Sequence, residues 1–163
     1  MEKEERLKGK RILIVDDEPD VLETLEELLS MCEVVKSTTF EDAKEKMETE
    51  YFDMAILDIM GVNGYRLLDI ATKRDMIAVM LTAHALSPED TVKSFKEGAA
   101  SYIPKEEMQN ITTYLNDILE AKEKGKSFWW RWMDRFAEYY ARKFTPEWKD
   151  KDKEFWEKFP YYM

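Results

Sequence analysis

Five residues with chemistry to offer stand at the ends of apolar runs. The run Arg11 to Glu18, R-I-L-I-V-D-D-E, ends in Asp16 and Asp17. The run from Met54, M-A-I-L-D-I-M-G-V-N-G, stops at Asp58 and then turns through glycines. I-A-V-M-L-T-A ends at Thr82 and Ala83, and A-S-Y-I-P-K ends at Lys105. Three carboxylates in one crevice repel each other and raise each other's pKa unless a cation joins them. Mg²⁺, or Mn²⁺, suits such a site, because a hard ion takes oxygen ligands and readily adds a phosphate oxygen. A lysine opposite would balance a phosphoryl group as a point charge, and a threonine hydroxyl can donate to it. Asp58 stands alone at the centre and is the candidate nucleophile, since carboxylates form acyl phosphates. Taken singly, each residue has a plainer role: a helix cap, a strand-end hydroxyl, a surface lysine. Their joint placement at four strand ends is what points to chemistry.

Placement of this kind needs strands that finish on one side of a sheet. Short apolar runs without alternation read as strands buried on both faces. Glu33 to Ser37 reads as a further short strand. Between the strands, helical spacing recurs. Pro19 opens a helix with Val21, Leu22, Leu25, Leu28 and Leu29 inward. Thr39 caps a second, with Ala43, Met47 and Tyr51 on one face. Gly64 to Lys73 forms a third, with Leu67, Leu68 and Ile70 inward. Ser87-Pro88-Glu89-Asp90 starts a fourth, which stops at Gly98. A long helix is expected from about Glu106 to Lys124, with Ile111, Tyr114, Leu115, Ile118 and Leu119 inward. Strands alternating with helices imply a parallel sheet covered on both faces. Ligands of such sheets sit beyond the carboxyl ends of the strands, where the strand order reverses.

Composition bounds the rest. The chain has 163 residues, 44% of them hydrophobic, and a net charge of −10. That charge argues against nucleic acid as a partner. No apolar run reaches the roughly 20 residues of a membrane span, and the charged N-terminus does not read as a signal peptide. The lone Cys32 allows no internal disulfide and suits a reducing cytoplasm; it reads as a small buried apolar residue. The last 36 residues differ from the remainder: they hold 14 of the 21 aromatic residues, all five Trp among them, with 8 basic and 7 acidic side chains. We therefore divide the chain into an N-terminal arm (1–9), a main domain (10–124) and an aromatic helical extension (125–163). In the extension Trp129, Trp132, Met133, Phe136, Tyr140 and Phe144 share one helical face. It is expected to dock on its own domain, pair with a second copy as a homodimer or grip a partner; nearly balanced charge disfavours a membrane.

The motifs I-L-I-V-D-D-E, I-L-D-I-M, L-T-A and E-G-A-A-S-Y-I-P-K, in this order, make residues 10–124 resemble the receiver domain of bacterial two-component response regulators. The resemblance implies a flavodoxin-like fold with strand order 2-1-3-4-5. It implies transfer of a phosphoryl group from a sensor histidine kinase or phosphotransfer protein onto Asp58, with Mg²⁺ required. Asp17 is then a direct metal ligand, Asp16 acts mostly through water, and the Met60 carbonyl joins Asp58 in the coordination. Thr82 turns toward the phosphate, Lys105 pairs with a phosphoryl oxygen, and Tyr102 is the aromatic switch residue that rotates inward with Thr82. Such a receiver is not an enzyme toward other substrates; it assists only its own phosphorylation and dephosphorylation, and it switches a downstream protein target. The competing expectation is a receiver-like scaffold that binds constitutively without phosphorylation.

The sequence departs from the family pattern in three places. Gly61 and Gly64 follow Asp58 by three and six residues, so that loop is about two residues shorter than usual. Pro104 precedes Lys105 where the family has a proline after its lysine. His84, the single histidine, falls at the mouth of the site and reads as a rim residue rather than a phosphorelay histidine.

Overall fold

A computed structural model describes residues 6–83 and 88–125. The helical extension expected over 125–163, His84 and the Ser87 cap therefore lie outside the described residues, apart from Gly125. Five strands are formed: β1 (Arg11–Val15), β2 (Glu33–Ser37), β3 (Met54–Asp58), β4 (Ile77–Thr82) and β5 (Ser101–Pro104). They alternate with α1 (Pro19–Leu28), α2 (Phe40–Thr49), α3 (Gly64–Lys73), α4 (Pro88–Lys96) and α5 (Ile111–Glu123). All strand pairs are parallel, in the order β2-β1-β3-β4-β5, as expected for a doubly wound, flavodoxin-like sheet.

The sheet forms because its central strands are apolar throughout. Every residue of β3 is buried, as are the last four of β1 and the last five of β4. The edge strand β2 is buried only at Ser37. The order reverses between β1 and β3, so right-handed crossovers send α1 to one face and α2, α3 and α4 to the other. Leu7, in the segment before β1, is fully buried, and the Gly9 amide donates to the Met31 carbonyl at 2.9 Å. Residues 6–9 thus pack against the domain. Cys32 donates to the Leu7 carbonyl, and burial pushes its thiol up to about 11.

Caps and turns set the helix starts. Thr39 Oγ1 accepts from the Asp42 amide at 3.2 Å. Glu89 and Asp90 occupy the first turn of α4. Gly98, with φ +97°, ends the turn after it.

Two expectations are corrected. Tyr51 does not share the inward face of α2; it is 73% exposed, and Phe52 enters the core instead. The helix stops at Thr49 and the chain extends at Glu50, which lets Asp53 grip β1: its carboxylate accepts from the Arg11 amide at 2.8 Å. The last helix does not start at Glu106. Lys105–Asn110 is a 3₁₀ helix, and α5 begins at Ile111. None of Lys105–Asn110 is fully buried; Met108 alone packs partly against the core before Ile111 enters it.

The short loop after Asp58 closes tightly. Asn63 takes the left-handed region at φ 55°, and the Gly64 amide donates to the Ile59 carbonyl at 3.0 Å. A Cβ at position 64 would overlap the Asp58 carbonyl oxygen. Gly64→Ala should therefore lose about 2–3 kcal/mol of stability in urea unfolding followed by circular dichroism. An unchanged midpoint would show that the loop has slack.

Candidate functional site

Parallel pairing carries the chain to the same edge each time a strand ends. Asp16 follows β1, Asp58 closes β3, Thr82 closes β4 and Lys105 follows β5. The register aligns Asp58 with Leu81 and Thr82 with Pro104. A cleft of about 250 Å³ opens there, lined by Asp17, Glu18, Asp58, Met60, Gly61, Ala83 and Lys105.

Lys105 is the hub. Its ammonium lies 2.7 Å from Asp16 Oδ2, 3.3 Å from Glu18 Oε1 and 3.5 Å from Asp58 Oδ1. Burial pulls its pKa down, but hydrogen bonding and attraction from Asp16, Asp58 and Glu18 outweigh this and hold it above its ordinary value. Asp16 is 1% exposed. Its Oδ1 accepts from the Glu18 amide at 2.9 Å, which folds the acidic loop back over β1. Burial raises the Asp16 pKa, the charge of Asp58 adds to this, and Lys105 and the Glu18 amide oppose it.

Asp58 is 5% exposed, and its Oδ2 accepts from the Gly61 amide at 3.1 Å. The same glycine faces Asp17, because a Cβ there would overlap the Asp17 carboxylate. Gly61 thus brings Asp17 and Asp58 together from two segments. Carboxylate oxygens of Asp16, Asp17 and Glu18 lie within 4.8 Å of one another. Asp58 is held by Gly61 and faces Lys105, and of the expected ligand set of Asp16, Asp17, Asp58 and Met60, the last three line this cleft and Asp16 lies beside it on Lys105. Glu18, the third acid of D-D-E, carried no assigned role in the sequence reading; here it lines the cleft and lies 3.3 Å from the Lys105 ammonium.

Met60 is 73% exposed and lines the cleft. Thr82 is buried at the end of β4, beside the lining rather than in it. Tyr102 is wholly buried in β5, paired with Met80, so its ring points into the domain. All peptide bonds among the described residues are trans, including the one to Pro104.

Three carboxylates surround one ammonium here, and Asp17 lines the same cleft. The donor set is all oxygen, and among the described residues the buried Asp16 Oδ2 has only the Lys105 ammonium, at 2.7 Å, against it. Spare acceptor capacity and excess negative charge fit a hard divalent cation such as Mg²⁺ or Mn²⁺.

Comparison with known proteins agrees with this geometry. The family model for the response regulator receiver domain matches residues 12–116. A two-component response regulator of Arabidopsis thaliana, ARR18, is 34% identical over 113 residues, covering 63% of this chain and 18% of the relative. A second from that plant, ARR12, is 32% identical over 130 residues, covering 73% and 22%. The chain thus spans about a fifth of the length of these curated relatives. Among solved structures, a CheY-like receiver domain protein from Methanospirillum hungatei superposes with a TM-score of 0.65 at 30% identity, covering 72% of this chain and 99% of that one. The beryllofluoride-activated DrrB receiver domain gives a TM-score of 0.62 at 26% identity, covering 69% and 98%. No helix among the described residues is long and apolar enough to cross a membrane.

The raised pKa of Asp16 has a signed consequence. The fold favours its protonated form, so the contribution to stability is complete below the ordinary value of 3.8 and is lost as pH rises through the raised one. Without divalent cations, wild type should therefore gain on Asp16→Asn in urea midpoint as pH falls from neutrality toward 3.8, and the difference should flatten below it. A difference that moves the other way means that Asp16 is not held against its charged form.

Proposed function

The chain belongs to the response regulator receiver domain family, and from that premise we propose that it accepts a phosphoryl group on Asp58 from a histidine kinase or phosphotransfer protein. The observation that carries this reading is the Lys105 ammonium set between Asp16 and Asp58, in the cleft that Asp17 also lines.

The roles follow from the geometry. Asp58 Oδ1 faces Lys105, while Oδ2 is tied to the Gly61 amide. The carboxylate is thereby oriented, and one of its oxygens attacks phosphorus. The new oxygen–phosphorus bond forms as the phosphorus–nitrogen bond to the donor imidazole breaks, and that imidazole is protonated from solvent. Lys105 meets the charge gathered on the phosphoryl oxygens. Thr82, one register position beyond the partner of Asp58, donates its hydroxyl to a phosphoryl oxygen. Asp16, Asp17 and Asp58, with the Met60 carbonyl and with Glu18 beside them, would hold Mg²⁺ or Mn²⁺, which supplies charge neutralisation and orientation of those oxygens.

The product carries nearly two extra negative charges beside Lys105. That draws Lys105 from Asp16 toward the phosphoryl group and biases the segment containing Thr82, β5 and Tyr102. With Tyr102 already inward, the switch works through a ring packed in the core. The output is a changed contact with a downstream protein in the cytoplasm. Hydrolysis of the acyl phosphate, assisted by the same cleft, resets it.

Incubation with acetyl phosphate and Mg²⁺ should add the mass of one phosphoryl group to the intact chain. Asp58→Asn should abolish the addition, and Lys105→Ala should slow it by about a hundredfold or more. A chain that stays unmodified, or that is modified equally well without Asp58, would leave a constitutive scaffold as the better account.

A further inference from the structure

Helix α4 has the thinnest apolar anchor of the described helices. Among its described side chains Val92 is the one buried apolar residue, and Phe95 packs partly against the core. By contrast α1 buries Val21, Leu22 and Leu25, and α3 buries Leu67, Leu68 and Ala71. The inward side of α4 also carries Thr91 and Ser94, both fully buried. Where apolar burial is small, directed bonds decide where a helix sits.

Three such contacts converge on one residue of α3. Tyr65, half-buried in the first turn of that helix, sets its phenol oxygen 3.1 Å from Asp90 Oδ1, 3.3 Å from the Asp90 carbonyl and 3.3 Å from Ser94 Oγ. The phenol has one proton. The Asp90 carboxylate is its strongest acceptor, and Ser94 can donate to the phenol oxygen in return. Burial above all, with the Asp90 charge, holds the Tyr65 pKa above its ordinary value, so the phenol stays a donor. The Lys93 ammonium lies over the same ring, 4.1 Å from its centroid. Two turns along α3, on the same side, Thr72 packs against Gly98, where a Cβ would come within 3.1 Å of its Oγ1. The first turns of α4 and the turn that ends it are thus tied to one stripe of α3.

Tyr65 is joined to Asp58 without slack. Asp58 Oδ2 accepts from the Gly61 amide, the Gly64 amide donates to the Ile59 carbonyl, and no Cβ fits between Gly64 and the Asp58 carbonyl. Tyr65 is the next residue. We propose that Tyr65 is a positioning residue that latches α4 to α3 in the unphosphorylated domain, and that phosphorylation of Asp58 opens the latch. The proposal rests on the reading of Asp58 as the phosphoryl acceptor. A phosphoryl group there adds bulk and charge where the Gly61 amide is bound, so the tight loop shifts and carries the first turn of α3 with it. The phenol contacts, at 3.1 to 3.3 Å, are already long for an O–H donor, and a displacement of about 1 Å breaks them. Helix α4 is then released from α3. This route runs along the outside of the sheet, apart from the wholly buried ring of Tyr102.

Hydrogen–deuterium exchange of the full chain, read by mass spectrometry, tests this. Tyr65→Phe keeps the ring beneath Lys93 and removes only the hydroxyl. Without ligand it should speed exchange across α4 by about tenfold and leave α2 unchanged. Beryllofluoride with Mg²⁺ should alter exchange of the 59–63 loop in wild type and variant alike. It should speed exchange of α4 in wild type to the level of the variant, and add nothing in the variant. A tyrosine with a merely structural role would speed α4 in the free variant yet leave its response to beryllofluoride intact. Ser94→Ala, with a smaller rise expected in the same direction, is the second variant should Tyr65→Phe not fold by circular dichroism. Equal α4 exchange in free wild type and free variant overturns the proposal. So does an α4 response of equal size in both, and the loop response then shows that the phosphoryl-acceptor reading still stands. A wild-type loop indifferent to beryllofluoride removes that reading and the proposal with it.

Discussion

One buried ion pair fixes the functional end of this molecule. Lys105 reaches back from the end of β5 to Asp16 beyond β1, across the two strands between them. Removing the Lys105 charge would leave Asp16 buried beside Asp58 with no counter-ion, which costs several kcal/mol. The pair is nonetheless incomplete. Asp17, Glu18 and Asp58 bring further negative charge to the same cleft, and one ammonium cannot balance it. A site left in that state favours whatever brings positive charge to it, and then an anion that such a cation can bind. Cation first and phosphoryl group second is the order that electrostatics alone suggests.

The fold makes this frustration affordable by confining it to one edge. The remainder of the sheet is apolar and closely packed, with β3 buried along its whole length. Parallel pairing then sets the carboxyl ends side by side without any requirement on the loops beyond reach. The short loop after Asp58 needs two glycines for two different reasons: Gly64 admits the Asp58 carbonyl, and Gly61 admits the Asp17 carboxylate while its amide holds Asp58. The loop that results is a tight turn beside an open cleft.

Much of this was legible in the sequence because it rests on strong, short-range signals. Apolar runs ending in D-D, D, T and K, at alternating spacing with helices, fix both the strands and the edge at which they finish. What was not legible depends on tertiary partners. Tyr51 continues the periodicity of α2, but Asp53 must reach Arg11, and that requirement ends the helix early. Glu106 to Asn110 has helical composition, yet only Met108 packs partly on the core, and the segment forms a 3₁₀ turn. Glu18 looked like one more solvated acid until the Asp16 carboxylate bound its amide and drew the loop inward.

The central claim is that acids from two segments form one cation site with Asp58 at its edge. Calorimetric titration of the full chain with Mg²⁺ tests it most directly. The account predicts saturable binding at a single site that Asp17→Asn abolishes and Gly61→Ala weakens, since an added methyl group displaces the Asp17 carboxylate. Binding that survives both substitutions, or no saturable binding at all, would contradict it.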